Sequence, residues 1–143
     1  MTRISFYFNA PDKFQVAARL SQKAVDAKNR VLIFAPDTAK AHHMDQLLWT
    51  YSSISFMPHC MAEDVLAAET PVLIASDPET LPHDEVLLNL GDDWPPAFSR
   101  FNRLLEIVGQ DDADRSHARA RFKFYKDRGY EIESVDLAKV GEK

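Results

Sequence analysis

The length, composition and charge of the chain indicate one globular domain. Its 143 residues are enough for a single compact core, and 45% apolar with 27% charged residues is ordinary for a folded protein, so wholesale disorder is excluded. A net charge of −5 argues against coating of nucleic acid, because such binding requires many phosphates to be neutralised.

The single cysteine, Cys60, excludes an internal disulfide framework and is typical of a reducing compartment. The first residues have no sustained apolar core or small-residue cleavage site, so they do not match a signal peptide. No apolar run approaches the roughly 20 residues that span a bilayer. We therefore expect a cytoplasmic protein without a membrane anchor.

The first half of the chain predicts two strand–helix units. Residues 4–8 form a β-rich run that ends at a turn, and apolar positions then recur at helical spacing over residues 12–28. Residues 31–35 are continuously apolar, which is typical of a strand covered on both faces. A proline ends that strand, and Asp37 or Thr38 can cap a second helix that runs to about Trp49.

The second half repeats these signals. Residues 71–75 and 86–90 are again buried-strand runs, whereas the apolar spacing over residues 97–108 predicts a helix. A last helix is predicted from about Asp112 to Arg128, and Gly129 supplies the residue that ends it in a left-handed turn.

Strands that alternate with helices, and that are apolar throughout, indicate an α/β layered fold with a mainly parallel sheet. No internal repeat or linker-like stretch interrupts the pattern. We therefore expect a single domain over residues 1–143, with residues 138–143 as a loose tail.

Motifs for catalysis and cofactor binding are missing from the sequence. The four glycines lie more than ten residues apart, so neither G-x-G-x-x-G nor a P-loop can be written. The histidines and the cysteine have no C-x-x-C or H-x-x-x-H spacing, and no G-x-S-x-G occurs. The sequence predicts no enzyme activity, no cofactor and no metal site.

An aromatic cluster follows the second predicted helix. Trp49, Tyr51 and Phe56 lie where that helix gives way to a loop, a place where large aromatic residues often anchor protein interfaces. Burial in the core explains such residues equally well. Core and interface both remain open at this point.

The last predicted helix concentrates positive charge. Between residues 115 and 128 lie six of the 17 basic residues and one of the 22 acidic residues. Arg115, Arg119, Phe122, Lys123 and Lys126 fall within about one helical face, and Ala118, Phe122 and Tyr125 form a neighbouring apolar strip.

Three interpretations fit this charged helix. It can present a solvated basic face while its aromatic residues pack on the sheet. It can form a groove for an acidic peptide that ends in an aromatic residue and a free carboxylate. It can also bind single-stranded DNA, with bases stacked on Phe122, Phe124 or Tyr125, although the acidic remainder of the chain weakens that interpretation.

Three segments carry a resemblance to a known family: ISFYF at residues 4–8, LLWTYSSISFMPH at 47–59 and ARARFKFYKDRGYEI at 118–132. From Phe6 to about Ile132 the chain resembles the chi subunit of bacterial DNA polymerase III holoenzyme. The resemblance implies a non-catalytic accessory protein with a three-layer Rossmann-like fold. It also implies association with the clamp loader through the psi subunit, and binding of the acidic C-terminal tail of single-stranded DNA-binding protein. Some members of the family join a repair helicase through the psi-binding face.

The resemblance also assigns residues to two surfaces. The psi-binding face would include Trp49, Phe56, Pro58 and His59. The tail-binding site would include Val108, Arg115, Arg119, Phe122, Lys123, Tyr125 and Gly129. Phe122 stands where a tyrosine is familiar, and Arg115 where a lysine is, so charge is kept but contact geometry differs.

The resulting hypothesis is a replisome adaptor that meets DNA only indirectly. The alternative is an α/β module that binds single-stranded DNA itself.

Overall fold

The computed structural model describes residues 2–50, 59–62, 70–76 and 83–138. Seven strands and three α-helices follow one another along these residues, with a short 3-10 helix at Phe98–Arg100. In chain order they are β1 Arg3–Ala10, α1 Lys13–Asp26, β2 Val31–Phe34, α2 Thr38–Thr50, β3 His59–Met61, β4 Val72–Ala75, β5 Val86–Asn89, β6 Arg103–Gly109, α3 Asp112–Asp127 and β7 Ile132–Asp136.

The strands form one sheet in the order β3-β4-β2-β5-β6-β1-β7, and every neighbouring pair is parallel. The first strand therefore lies between the last two, with Ile4 opposite both Leu104 and Ile132. Because all strands run the same way, their carboxyl ends meet at one edge of the sheet.

Two hydrophobic clusters cover the two faces of this sheet. Residues of α1 and α2, such as Ala17 and Met44, pack on one face, and residues of α3, such as Ala118 and Tyr125, pack on the other. Successive side chains of a strand point alternately into the two clusters: Phe6 belongs to the cluster on the α3 side, and Tyr7 packs against the cluster on the α1 side. This arrangement confirms the predicted three-layer α/β fold.

The helix ends follow the local sequence. Asp12 precedes α1 and its carboxylate accepts hydrogen bonds from the N–H groups of Phe14 and Gln15, at 3.0 and 3.3 Å. Asp111 does the same for α3, accepting from Asp114 N at 2.7 Å. Gly129 follows α3 at φ +86°, the left-handed conformation predicted for it.

One predicted element is wrong. Residues 97–108 do not form a helix: after the short 3-10 helix the chain enters β6, which lies between β5 and β1. Leu104, Leu105, Ile107 and Val108 are all buried because both faces of this strand are covered, so its side chains do not alternate between apolar and polar. Strands β3 and β7 were not predicted, and of the expected tail only Ala138 lies within the described residues.

Among the described residues, no helix combines the length and the apolar character that crossing a bilayer requires.

Candidate functional site

A pocket of about 420 Å³ opens beside α3, at the carboxyl end of β1 and next to β7. We call it the α3 pocket. It is lined by Phe6, Phe8, Asn9, Val108, Gly109, Arg115, Ala118, Arg119, Phe122 and Ser134.

The floor of the α3 pocket is apolar. Phe6 and Phe8 project to the same side of β1 because side chains two apart on a strand share a face. The Phe122 ring is half-buried with its centroid 5.4 Å from that of Phe6, and Val108 closes the floor from β6. An apolar group of a ligand can therefore be covered by aromatic surface here.

The rim of the pocket is cationic. Arg115 and Arg119 lie one helical turn apart on α3 and both are exposed. Arg115 Nη2 donates to Asn9 Oδ1 at 3.2 Å, and Asn9 in turn donates to Asp136 Oδ1 at 2.9 Å. Asn9 adopts φ +65°, which an asparagine tolerates better than most residues and which turns β1 at the pocket mouth. The rim thus offers guanidinium groups that can pair with a carboxylate.

The start of α3 is anchored by Asp114. Its carboxylate accepts a hydrogen bond from Gly109 N at 2.6 Å and forms an ion pair with Lys13 Nζ at 3.0 Å. Burial alone would raise the pKa of Asp114, but the Gly109 hydrogen bond and the Lys13 cation outweigh burial and lower it. The charged carboxylate therefore ties α3 to β6 and α1 beside the pocket.

A buried polar network holds the middle of α3 on the sheet. Glu106 of β6 is fully buried and accepts hydrogen bonds from Arg121 Nε at 2.9 Å, Tyr125 OH at 2.6 Å and Asn89 Nδ2 at 3.1 Å. Burial raises the pKa of Glu106, and Arg121 together with these donors opposes that rise. Burial and the neighbouring Glu106 charge raise the pKa of Tyr125, so its phenol stays protonated and donates.

Six of the seven predicted tail-binding residues divide into two groups. Val108, Arg115, Arg119 and Phe122 line the α3 pocket together. Lys123 is exposed outside the lining and pairs with Asp127 at 3.0 Å, and Gly129 ends the helix.

Tyr125 requires a correction: it was expected to contact the ligand, but it is 0% exposed and bonded to Glu106. It faces the sheet, where its ring centroid lies 6.0 Å from that of Phe6 and its hydroxyl donates to Glu106 Oε2.

Of the predicted psi-binding residues, the structure brings two together. Trp49, at the end of α2, is 57% exposed, and its ring lies 4.9 Å from that of His59 in β3. His59 is buried, with Nε2 3.4 Å from Asp45 Oδ1. The exposure of Trp49 favours an interface role over a core role. Phe56 and Pro58 lie outside the described residues.

Sequence reasoning missed most of the pocket floor and mouth. Phe6, Phe8 and Asn9 come from β1, and Ser134 from β7, far from α3 in the sequence. The alternation within residues 4–8 places Phe6 and Phe8 on one face, but their meeting with α3 depends on strand order. Within the described ranges no group of three or more His, Cys, Asp or Glu residues could hold a metal ion.

Comparison with solved structures gives a likeness of fold. The C-terminal domain of S. cerevisiae Dbp5 L327V, solved bound to Gle1 H337R and IP6, superposes with a TM-score of 0.62 over 94% of this chain and 90% of that one. At 12% sequence identity the likeness concerns the fold alone.

Comparison with characterised sequences is more specific. Three relatives are named DNA polymerase III subunit chi. The protein of Pseudomonas aeruginosa is 32% identical over 98% of this chain and 100% of its own length. Those of Haemophilus influenzae and Escherichia coli K12 are 26% and 25% identical, over 86% and 85% of this chain and 86% and 83% of their own.

The family model described as "DNA polymerase III chi subunit, HolC" matches residues 1–133. This range contains β1 to β6, all three α-helices and the first two residues of β7. Together with the full-length match to the Pseudomonas aeruginosa protein, this match shows that the chain belongs to the DNA polymerase III chi subunit family.

Proposed function

We propose that this chi-family protein is a non-catalytic adaptor of the replisome. Its α3 pocket binds the acidic C-terminal tail of single-stranded DNA-binding protein, and the surface around Trp49 binds the psi subunit of the clamp loader. The protein then connects the polymerase to coated single strands without catalysing a reaction of its own, and it meets DNA only indirectly.

The observation that carries this proposal is the pairing of an apolar floor with a cationic rim in one pocket. The tail of single-stranded DNA-binding protein ends in phenylalanine with a free carboxylate, according to the family resemblance. Its ring matches the floor formed by Phe6, Phe8 and Phe122, while Arg115 and Arg119 are positioned to pair with carboxylates.

Charge adds to this complementarity. Five exposed cations lie between residues 115 and 128, a range with one acidic residue, Asp127; they are Arg115, Arg119, Lys123, Lys126 and Arg128. A concentrated cationic surface on an otherwise acidic protein speeds the encounter with an acidic peptide and disfavours basic partners. Many copies of single-stranded DNA-binding protein coat one stretch of DNA and present many tails. A weak contact with one tail therefore gains avidity, because the linked tails raise the effective concentration.

Direct binding of single-stranded DNA has less support. That function needs open ring faces for the bases, yet Tyr125 is buried and Phe122 lines the pocket. The Phe124 ring has Trp94 stacked 3.6 Å away and the Arg128 guanidinium 3.7 Å from its centroid. Two groups this close to one ring occupy its opposite faces, so Phe124 has no face left for a base.

The psi-binding part of the proposed function depends on Trp49. An exposed tryptophan supported by the His59 ring is the type of residue that forms the centre of protein interfaces. A repair helicase is a further candidate partner of this surface, as for some members of the family.

The tail-binding half is tested by fluorescence anisotropy with a labelled acidic peptide that ends in phenylalanine. A hydrogen bond to a charged group contributes roughly 1.5–3 kcal/mol, so Arg119→Ala should weaken binding about ten- to a hundredfold. Arg100→Ala removes the same charge from an exposed residue that does not line the pocket, and it should leave the affinity within about twofold.

Two outcomes would contradict the proposal. One is an unchanged affinity of Arg119→Ala for the peptide. The other is equally tight binding of a peptide that lacks the terminal phenylalanine. Naked oligonucleotide, titrated in parallel, should bind far more weakly. Tight oligonucleotide binding whose affinity falls steeply and linearly with salt concentration on a log–log plot would favour the DNA-binding alternative.

A further inference from the structure

A second aromatic surface lies on the other side of α3. Trp94 is 39% exposed and stacks on Phe124 with an interplanar angle of 9°, while the Arg128 guanidinium covers the opposite face of Phe124. We call Trp94, Phe124 and Arg128 the Trp94 platform. The stack ends at the Trp94 ring, which is partly exposed.

The loop that carries Trp94 is held from within the protein. Arg121 Nη1 donates to the carbonyl oxygen of Asp92 at 2.7 Å, and Asn89 Nδ2 donates to that of Asp93 at 3.0 Å. Both donors belong to the buried network around Glu106. The two peptide units before Trp94 are therefore fixed, and the exposed ring is pre-organised rather than a chance feature of a loose loop.

The platform and the α3 pocket lie on opposite flanks of one helix. Phe122 lines the pocket and Phe124 supports the platform. Side chains two positions apart in a helix point in directions about 200° apart around its axis. The exposed face between them carries Arg119 and Lys123. A ligand that leaves the pocket across α3 therefore passes these cations before it reaches Trp94.

We propose that the Trp94 platform binds an uncharged aromatic side chain of the same acidic tail, upstream of the terminal residue in the α3 pocket. This inference rests on the proposed function. A helix with its side chains is about 10–12 Å across, so half its circumference is about 17 Å. About five extended residues, at roughly 3.3 Å each, span that path, which places the second anchor about six residues before the terminal phenylalanine.

The charges beside Trp94 favour a peptide over a nucleotide. Asp92 and Asp93 precede the ring and are exposed, and the Asp92 carboxylate lies 3.9 Å from Lys40 Nζ and 3.7 Å from His117 Nδ1, which are long ion-pair distances. A base stacked on Trp94 would bring its phosphate close to these carboxylates, because every nucleotide carries a charge. A peptide can present an uncharged ring here and keep its acidic residues over the cations of α3.

The test compares peptides on the unmodified protein. The short peptide is a run of aspartates that ends in phenylalanine with a free carboxylate. Two longer peptides extend it, one with phenylalanine and one with alanine about six residues before the end. We expect the phenylalanine version to bind about five- to tenfold tighter than the alanine version, as stacked aromatic contacts predict.

A pair of tryptophan variants locates the effect. Trp94→Ala should abolish the difference between the two long peptides and leave the affinity for the short peptide unchanged. Trp49→Ala removes an even more exposed tryptophan on a different surface, so it should keep the difference in full. The short peptide also reports whether each variant retains an intact α3 pocket.

The outcomes separate this inference from the proposed function. If the short peptide binds and depends on Arg119 but the two long peptides bind equally, the second anchor is wrong and the tail-binding function stands. If the short peptide does not bind, both are overturned. If Trp94→Ala instead weakens binding of an oligothymidylate and the long peptides remain equal, the platform binds nucleic acid and the inference is overturned.

Discussion

Arg119 and Arg121 lie two residues apart in α3, yet they have opposite surroundings. Arg119 is exposed on the rim of the α3 pocket, whereas Arg121 is 1% exposed and paired with Glu106 at 2.9 Å. The aromatic residues repeat the contrast, since Phe122 lines the pocket and Tyr125 is sealed against the sheet. The direction in which a residue faces, rather than its type, decides whether it lines the pocket or holds the helix on the sheet.

The contrast also explains how the helix can be both charged and stable. An arginine in the interior is tolerated because a buried carboxylate and two hydrogen-bonded neighbours of that carboxylate surround it. The same network fixes the rotation of α3, so the exposed arginines point toward the pocket. Pocket-lining residues and supporting residues are therefore interleaved in the sequence but separated in space.

The strongest test of this comparison substitutes the two arginines with methionine. Arg121→Met leaves Glu106 buried without its cation, so we expect the free energy of unfolding to fall by about 3–5 kcal/mol. Arg119→Met should lower it by no more than about 1 kcal/mol. Urea denaturation measures both. Equal losses at the two positions would contradict the assignment of buried and exposed roles.

A smaller effect is expected at the start of the helix. Asp114→Asn weakens the contacts with Gly109 and Lys13 and should lower the free energy of unfolding by about 1.5–3 kcal/mol at neutral pH. Because the pKa of Asp114 is lowered in the folded chain, the stabilisation is present above the ordinary carboxyl pKa. It is lost as the pH falls through the folded pKa.

Urea denaturation of Asp114→Asn and the unmodified protein, repeated from about pH 7 to about pH 3, measures this dependence. The difference between their free energies of unfolding should decrease on acidification. A difference that increases as the pH is lowered would show that the Asp114 charge does not stabilise α3. Asp112→Asn, an exposed neighbour in the same turn, should change the free energy of unfolding by about 0.5 kcal/mol or less and serves as the control.

The smallest effect on the fold is expected at Trp49, which is far from this helix in the sequence. Trp49→Ala removes a 57% exposed ring, so the free energy of unfolding should change by about 0.5 kcal/mol or less. Affinity for the acidic peptide should be unchanged, while co-purification with psi should be lost. A variant that loses both partners would indicate that Trp49 supports the fold instead of an interface.

Much of the fold could be predicted because buried parallel strands are apolar throughout. Residues 31–35, 71–75 and 86–90 gave that signal and correspond to β2, β4 and β5. The same property led to a wrong prediction over residues 97–108, which include most of β6, because Phe98, Phe101 and Leu104 also fall at helical spacing. Periodicity cannot separate a strand covered on both faces from a buried helix. β3 is too short, and β7 too exposed, to give a pattern of its own.

Residue spacing predicted the candidate site on its helical half only, and Val108 of β6 was assigned to it through the family resemblance. Spacing in the sequence placed Arg115, Arg119 and Phe122 on one helical face together with Lys123 and Lys126, because a helix repeats every 3.6 residues whatever surrounds it. Of these five residues, the first three line the pocket. Spacing could not tell which face of the helix the sheet covers. Tyr125 was therefore assigned to the tail-binding site although its side chain is buried against the sheet. The β1 and β7 contributions depend on strand order, which the local sequence does not encode.

The position of β1 has a consequence for how the protein is made. Its two hydrogen-bonding partners, β6 and β7, both come from the last third of the chain, with Arg3 opposite Arg103. A ribosome therefore releases this first strand long before either neighbour exists, and both of its edges stay open in the nascent chain. Folding of this half of the sheet, and of the pocket floor that Phe6 and Phe8 provide, must wait until β6 and β7 have been synthesised.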